Sequence, residues 1–465
     1  MTDRPVHSRL PHRVKIGYGA AEFGTIAVEF FLRLYLLIFY TDVVGLRADL
    51  AGLAVGLAIA WDAITDPLMG SISDRTQSRF GKRRPYILIG GIALAISTFV
   101  LFSPPNFSSQ AGKFTFLLLS YIFLNTCWTV ICVPHMALGG ELTFDRDERT
   151  ELFGWKFLFF NLGGLFGSAV PGLLLASVEK QKDIALKASA YSTSSYIIGA
   201  AAIATAIITV IATRGLDRSA KEKGEPFSVK TYFLSWKTVM QNKLFATLVS
   251  AYVVATIGLS INGATALYYY KYRLGLSELQ VQYVIVVFLL TISFSIPLWI
   301  WLARKYGKKW PGFWGVFILG SIITLAYPFL PFQQISPPIM VAVVAGVFTG
   351  TVALLDALVA DVVDYDELET GEHREGLYFG FWKMASKIAR AISVAIAGYA
   401  LQAIGFVPNQ VQTPDVSWKL GLLFGPGVGL FFIFGAILFS KMPYSNEDHQ
   451  RVQEELLQRK LEQAS

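Results

Sequence analysis

Apolar runs of about twenty residues recur along this chain from Ile16 to Met442, and that recurrence constrains the fold most. A run of that length crosses a bilayer as a helix, because lipid leaves no solvent partner for an unpaired backbone group. Spans are read near 16–40, 50–72, 85–104, 114–138, 151–178 and 190–213, then 244–270, 278–302, 311–331, 337–363, 376–404 and 420–441. Composition agrees: only 16% of the 465 residues are charged, against about 25% in a soluble domain, too few for a wet surface. The expected fold is an all-α polytopic membrane protein with twelve transmembrane helices in two pseudo-symmetric six-helix bundles. The expected boundaries are 1–213 for the first bundle, 214–243 for a central loop, 244–442 for the second bundle and 443–465 for a tail.

Orientation follows from the basic residues. The N-terminal tail, the loops near 73–84, 139–150, 214–243, 303–310 and 364–375, and the C-terminal tail counted from Lys441 hold 27 Lys and Arg. The opposite loops hold 8 and the spans hold 5. Basic loops stay inside, so both termini are expected in the cytoplasm of a multi-pass plasma-membrane protein, or a cell inner-membrane protein in a bacterium. The net charge of +7 is accounted for by those loops, and no nucleic-acid partner is expected. The leader is polar and the first apolar segment is full length, so no cleavable signal is expected. Cys127 and Cys132 share one span and suit neither a disulfide framework nor a zinc site. No Walker A motif is present, and His135, the one in-span histidine, is expected to be structural. The chain is therefore read as a transporter and not an enzyme, a monomer whose partners are the bilayer and a small-molecule substrate. The halves also repeat: Gly70 to Pro85 after span 2 and Leu302 to Lys309 after span 8 are matching basic turns containing Gly81 and Gly307.

Ionisable side chains at membrane depth are costly and usually functional. Span 2 reads Trp61-Asp62-Ala63-Ile64-Thr65-Asp66-Pro67, placing two carboxylates on one helix face with Thr65 beside them. Like charges at low dielectric need a bound cation, a proton or a counter-charge. Asp62, Asp66 and Thr65 are accordingly the expected cation site, a metal site if the ion is Na⁺; a structural salt bridge is the alternative. Pro67 frees a carbonyl one turn earlier, a further oxygen for a cation. Span 11 carries Lys383, Lys387 and Arg390 on one face, and Lys387 is the expected coupling residue, competing with the cation for the carboxylates. Glu22, Glu29 and Arg33 lie within about 40° of one another on span 1, as a cavity stripe or a helix-stabilising set. Trp128, Lys156, Asp356, Trp382 and Lys383 complete the expected substrate cavity, with Trp155–Lys156 and Trp382–Lys383 pairing a ring with a cation. Asp74, Arg75, Glu141, Arg149, Asp361, Asp364 and Arg374 are expected to form salt bridges of a cytoplasmic gate. A solvated loop reads equally well for Asp147, Glu148 and Asp366.

The layout and loop repeat resemble the major facilitator superfamily. Tyr40-Thr-Asp42-Val-Val-Gly45-Leu46, the run Trp61 to Gly70, and Arg79-Phe-Gly81-Lys82 with Pro85 closely resemble the glycoside–pentoside–hexuronide:cation symporters. Val133-Pro134, Asp361-Val-Val-Asp364-Tyr365 and Lys387 also fit. The resemblance covers nearly the whole chain. It implies that Asp62 and Asp66 bind Na⁺, Li⁺ or H⁺, that Lys387 sits near them, and that no other cofactor is needed. The sugar site transfers poorly. Where the melibiose-transporting members carry sugar-contacting Asp on spans 1 and 4, this chain has Ile26 and Cys132; their span-4 Trp and span-5 Arg fall at Met136 and Phe157. Cation-coupled symport of a sugar, glycoside or sugar acid by alternating access is the implied function. The span-2 motif is also similar to animal Na⁺-dependent lysophosphatidylcholine transporters, so an amphiphile substrate is the alternative.

Overall fold

A computed structural model of the chain describes residues 10–143, 145–181, 183–216, 236–372, 374–444 and 446–464. The described residues form helices and no strand. They divide into two compact units: Met1–Phe227 with Ser277–Gln282, and Ser228–Leu276 with Tyr283–Ser465.

The first unit holds α1 (His12–Asp42), α2 (Ala48–Arg75), α3 (Arg84–Leu101), α4 (Gln110–Leu142), α5 (Arg146–Val178) and α6 (Ile184–Ala212). Local chemistry sets several starts. The Ser109 hydroxyl accepts from Gly112 N at α4, and the Asp183 carboxylate accepts from Ala185 N at α6. Helix α1 is the centre of the unit and packs chiefly on α5 and α6. Close approach depends on Gly163 and Gly167, whose absent side chains would lie 2.4 Å from the Phe23 carbonyl and 2.1 Å from the Ala27 carbonyl. Helix α2 turns Leu53, Leu57, Ile64, Leu68 and Ile72 outward and buries Asp62, Thr65, Met69 and Ser73. An apolar outer face and a polar inner one invert the soluble pattern and suit hydrocarbon as solvent.

The second unit holds α7 (Lys243–Tyr268), α8 (Glu278–Tyr306, whose first turn groups with the first unit), α9 (Lys309–Ala326), α10 (Ser336–Thr349), α11 (Val352–Thr370), α12 (Glu375–Ala403), α13 (Pro414–Phe424), α14 (Pro426–Ser440) and α15 (Asn446–Ala464). Among the described residues, eleven helical stretches are long and apolar enough to cross a membrane; α10 is apolar but short.

The expected tenth span is therefore two helices. At the break, Thr351 N bonds Phe348 O three residues back (3.2 Å), which releases the Val347 carbonyl. Trp299 of α8 takes that carbonyl with its indole N–H at 2.6 Å, so no acceptor is stranded. Gly350 is required there, because a Cβ would lie 2.1 Å from Ser295 Oγ. Helix α11 then runs on to Thr370, well beyond the expected end at 363, and stops at Gly371 with φ of 72°. The twelfth span starts earlier than expected, at Pro414, and breaks at Gly425, because Pro426 has no N–H to continue the ladder.

Candidate functional site

Helices α2 and α4 present matched polar positions to each other. Asn125 Nδ2 donates to the Ala58 carbonyl (3.0 Å), and Trp61 Nε1 donates to Thr126 Oγ1 (3.1 Å). One turn on, Thr129 Oγ1 donates to Asp66 Oδ1 at 2.7 Å and lies 3.3 Å from Thr65 Oγ1. Asp62 is 4% exposed and Asp66 is half-buried. Thr65, Asp66 and Thr129 thus meet between α2 and α4, with Asp62 buried one turn earlier on α2; carboxylates and hydroxyls are hard oxygen ligands of the kind an alkali cation takes. Asp62, Thr65 and Asp66 stand out in the sequence; the structure adds Thr129 beside them. The signal available was weak: one of several hydroxyls on an apolar span, 63 residues from its partner.

The second polar group joins α1, α4 and α5. Glu22 Oε2 lies 3.5 Å from Lys156 Nζ and 3.6 Å from His135 Nδ1. His135 Nε2 meets the Tyr18 carbonyl at 2.8 Å, and its ring stacks on Tyr18 with centroids 4.6 Å apart. The Cys132 thiol is within electrostatic reach of Glu22, Glu29, Asp66 and Lys156. Glu29 and Arg33 are half-buried on α1, and Trp128 is half-buried on α4. Lys156 also lies 5.8 Å from the Phe153 ring centre, so Phe153 is the ring beside this cation.

In the second unit, Trp382 is 4% exposed and stacks on Tyr252 with centroids 3.8 Å apart, inside a core with Leu355, Leu358 and Val359. Its neighbour Lys383 is exposed, while Lys387 and Arg390 are half-buried on α12. The side chain of Asp356 lies outside the described residues, as do those of Arg146 and Asp147.

The rim charges pair within each unit. Arg83 bonds Glu141 through Nε (3.0 Å) and Nη2 (2.8 Å), reaches Asp74, and donates to Ser73 Oγ (2.5 Å). Arg83 had no place in the expected gate, yet it gathers the ends of α2 and α4 while Arg75 and Arg149 are exposed. Lys308 Nζ bonds both carboxylate oxygens of Asp361 (2.6 and 2.8 Å), and Tyr444 Oη donates to the same carboxylate at 2.8 Å. Burial and the Asp361 charge push the Tyr444 hydroxyl well above the usual tyrosine range. Arg374 forks onto Asp366 (both contacts 2.9 Å), and Tyr378 Oη donates to the same residue at 2.8 Å. Asp366 and Glu148, also read as solvated loop residues, are in fact 5% and 8% exposed, and Glu148 pairs with Lys15 at 2.9 Å. Asp364 is half-buried.

A family model described as MFS/sugar transport protein matches residues 17–446. The chain belongs to that family. This transporter is similar to the glucuronide carrier protein homolog of Escherichia coli K12, at 26% identity over 88% of each chain. It is similar also to the sodium-dependent lysophosphatidylcholine symporter 1 of Gallus gallus, at 26% identity over 92% of this chain and 85% of that one. Its fold matches a bacterial homolog of the lysosomal transporter Spinster with TM-score 0.68, covering 94% of this chain and 99% of that chain at 15% identity. It is thus a multi-pass membrane transport protein of the major facilitator type.

Proposed function

We propose that this transporter moves a sugar, glycoside or sugar acid together with a cation, Na⁺ or H⁺, by alternating access of its two units. The carrying observation is the contact of Thr129 with Asp66 and Thr65, one turn from the buried Asp62 in an apolar span pair, because carboxylates at that depth are costly and characteristically mark an ion or proton path. Lys387 is assigned as the coupling residue, a tethered cation that substitutes for the ion when the carboxylates are empty. Glu22, Glu29, Arg33, Trp128 and Lys156 supply hydrogen-bonding and ring surface for a polyhydroxylated substrate. The carboxylates at the rim, with Arg83, Lys308 and Arg374, brace the cytoplasmic ends of the helices, and both termini are cytoplasmic. The glucuronide-carrier likeness supports a sugar-acid substrate. The likeness to a lysophosphatidylcholine symporter supports a second reading, an amphiphile with Arg33 or Lys156 at its phosphate.

The test is gradient-driven uptake in sealed proteoliposomes. A set of sugars and sugar acids is screened against lysophosphatidylcholine, with and without a Na⁺ or pH gradient. Uptake of one class under one gradient is expected, and Asp62→Asn or Asp66→Asn should abolish it. Uptake that survives both substitutions removes the cation assignment.

A further inference from the structure

We propose that Glu22 is a proton-binding site distinct from the Asp62–Asp66 pair, pairing with Lys156 when ionised and donating to His135 Nδ1 when protonated. The tautomer of His135 carries the argument. Its Nε2 lies 2.8 Å from the Tyr18 carbonyl, which can only accept, so Nε2 holds the hydrogen. In the neutral ring Nδ1 is then a bare lone pair, and it faces Glu22 Oε2 at 3.6 Å. A lone pair opposite a carboxylate repels it. Opposite a carboxylic acid it accepts a hydrogen bond. Lys156 Nζ, 3.5 Å from the same oxygen, has the reverse preference, since it gains only from the carboxylate. One oxygen thus stands between two partners, each suited to one protonation state.

The surroundings fit an exchangeable proton. His135 is fixed: its side chain is 3% exposed, it is bonded through Nε2 and it is stacked on Tyr18. Tyr18 in turn fits only because residue 139 is glycine; a Cβ there would lie 2.1 Å from its hydroxyl. Glu22 and Lys156 are the adjustable members, 15% and 16% exposed, against 3% for His135. The other titratable groups around this site are Tyr18 and Glu29 on α1, Cys132 on α4, Asp66 from α2 and Arg149 on α5. Helix α6 reaches this part of α1 through Thr209, whose Oγ1 accepts from Ala21 N at 3.0 Å. On release, the Glu22 O–H bond breaks, the proton passes to water, and the electron pair stays on a carboxylate balanced by Lys156. Uptake reverses each step. The site's part in transport rests on the symport reading; its existence as a proton site does not.

The experiment is pH-difference infrared spectroscopy of the purified full chain in lipid, with the proton as the only ligand. A carboxylic-acid C=O band is expected at low pH, lost completely in Glu22→Gln and displaced in frequency in His135→Phe, which keeps the ring stack but has no acceptor. Glu22→Asp retains a carboxyl and should show a displaced band, which covers a Gln variant that does not fold. A Glu22→Gln spectrum that superimposes on wild type, or a band unmoved in His135→Phe, overturns the proposal. Asp62→Asn is expected to lose uptake and keep this band. If Asp62→Asn and Asp66→Asn instead retain uptake, the symport cation assignment fails while an intact Glu22 band still supports the proton site.

Discussion

Replacing Thr129 by Val tests the cation cluster with the least disturbance, because the two side chains have nearly the same shape. Thr129 is 1% exposed and its hydroxyl donates to Asp66 Oδ1 at 2.7 Å. A buried hydrogen bond to a charged group contributes about 1.5–3 kcal/mol. Val removes that donor and also a hydroxyl oxygen 3.3 Å from Thr65 Oγ1 that can face a cation. At about 1.4 kcal/mol per tenfold, cation affinity should fall by about 10- to 150-fold. The assay is thermal stability of the purified chain titrated with NaCl at constant ionic strength, since a ligand bound only by the folded state raises the melting temperature. Asp66→Asn should weaken the same titration, and adding Thr129→Val to it should change little, because the two groups act through one contact. A Thr129→Val titration coincident with wild type refutes the reasoning. So does a double variant whose loss equals the sum of the single losses.

Three further outcomes are expected. Arg83→Ala should lower stability by about 3 kcal/mol by stranding Glu141 and Asp74, and Arg83→Lys should recover only part, lacking the fork; melting temperatures of both decide it. Gly167→Ala should cost about 1–3 kcal/mol by pressing on the Ala27 carbonyl, whereas Gly154→Ala, with nothing within 4 Å, should be neutral or stabilising in the same melt. The Tyr444 hydroxyl holds its proton more tightly in the folded chain, so its contribution is complete below about pH 10 and is lost as pH rises further. Tyr444→Phe should flatten that alkaline loss in stability measured from pH 8 to 11.

The spans were legible because each is a local signal: twenty apolar residues need no knowledge of the rest of the chain. The Asp62–Asp66 motif was legible for the same reason, since a helix fixes the geometry of residues four apart. What escaped was set by other elements. The break at Thr351 is invisible to hydropathy, because the indole that takes the Val347 carbonyl comes from Trp299, about fifty residues earlier. Arg83 read as one cation in a basic loop; only the folded chain shows it 5% exposed among three partners. Asp366 was open between a rim ion pair and a solvated loop because its span was expected to end at 363; the longer α11 buries it beside Tyr378 and pairs it with Arg374. Trp382 was chosen for the cation next to it, yet adjacent residues on a helix point about 100° apart, and the ring turned inward while Lys383 turned out.

The interruption between α10 and α11 has a mechanical meaning. An unbroken helix resists bending because each turn is tied to the next, and a kink must open hydrogen bonds. Here the exchange is already complete: the released carbonyl belongs to Trp299, and the chain bends at a joint whose bonds are satisfied in advance. The segment beyond that joint carries Asp361 and Asp366, and with them Lys308, Arg374 and Tyr444. Those side chains hold the far end of α11, so the helix is tied at its rim by ion pairs and interrupted at Gly350–Thr351 with its hydrogen bonds already satisfied.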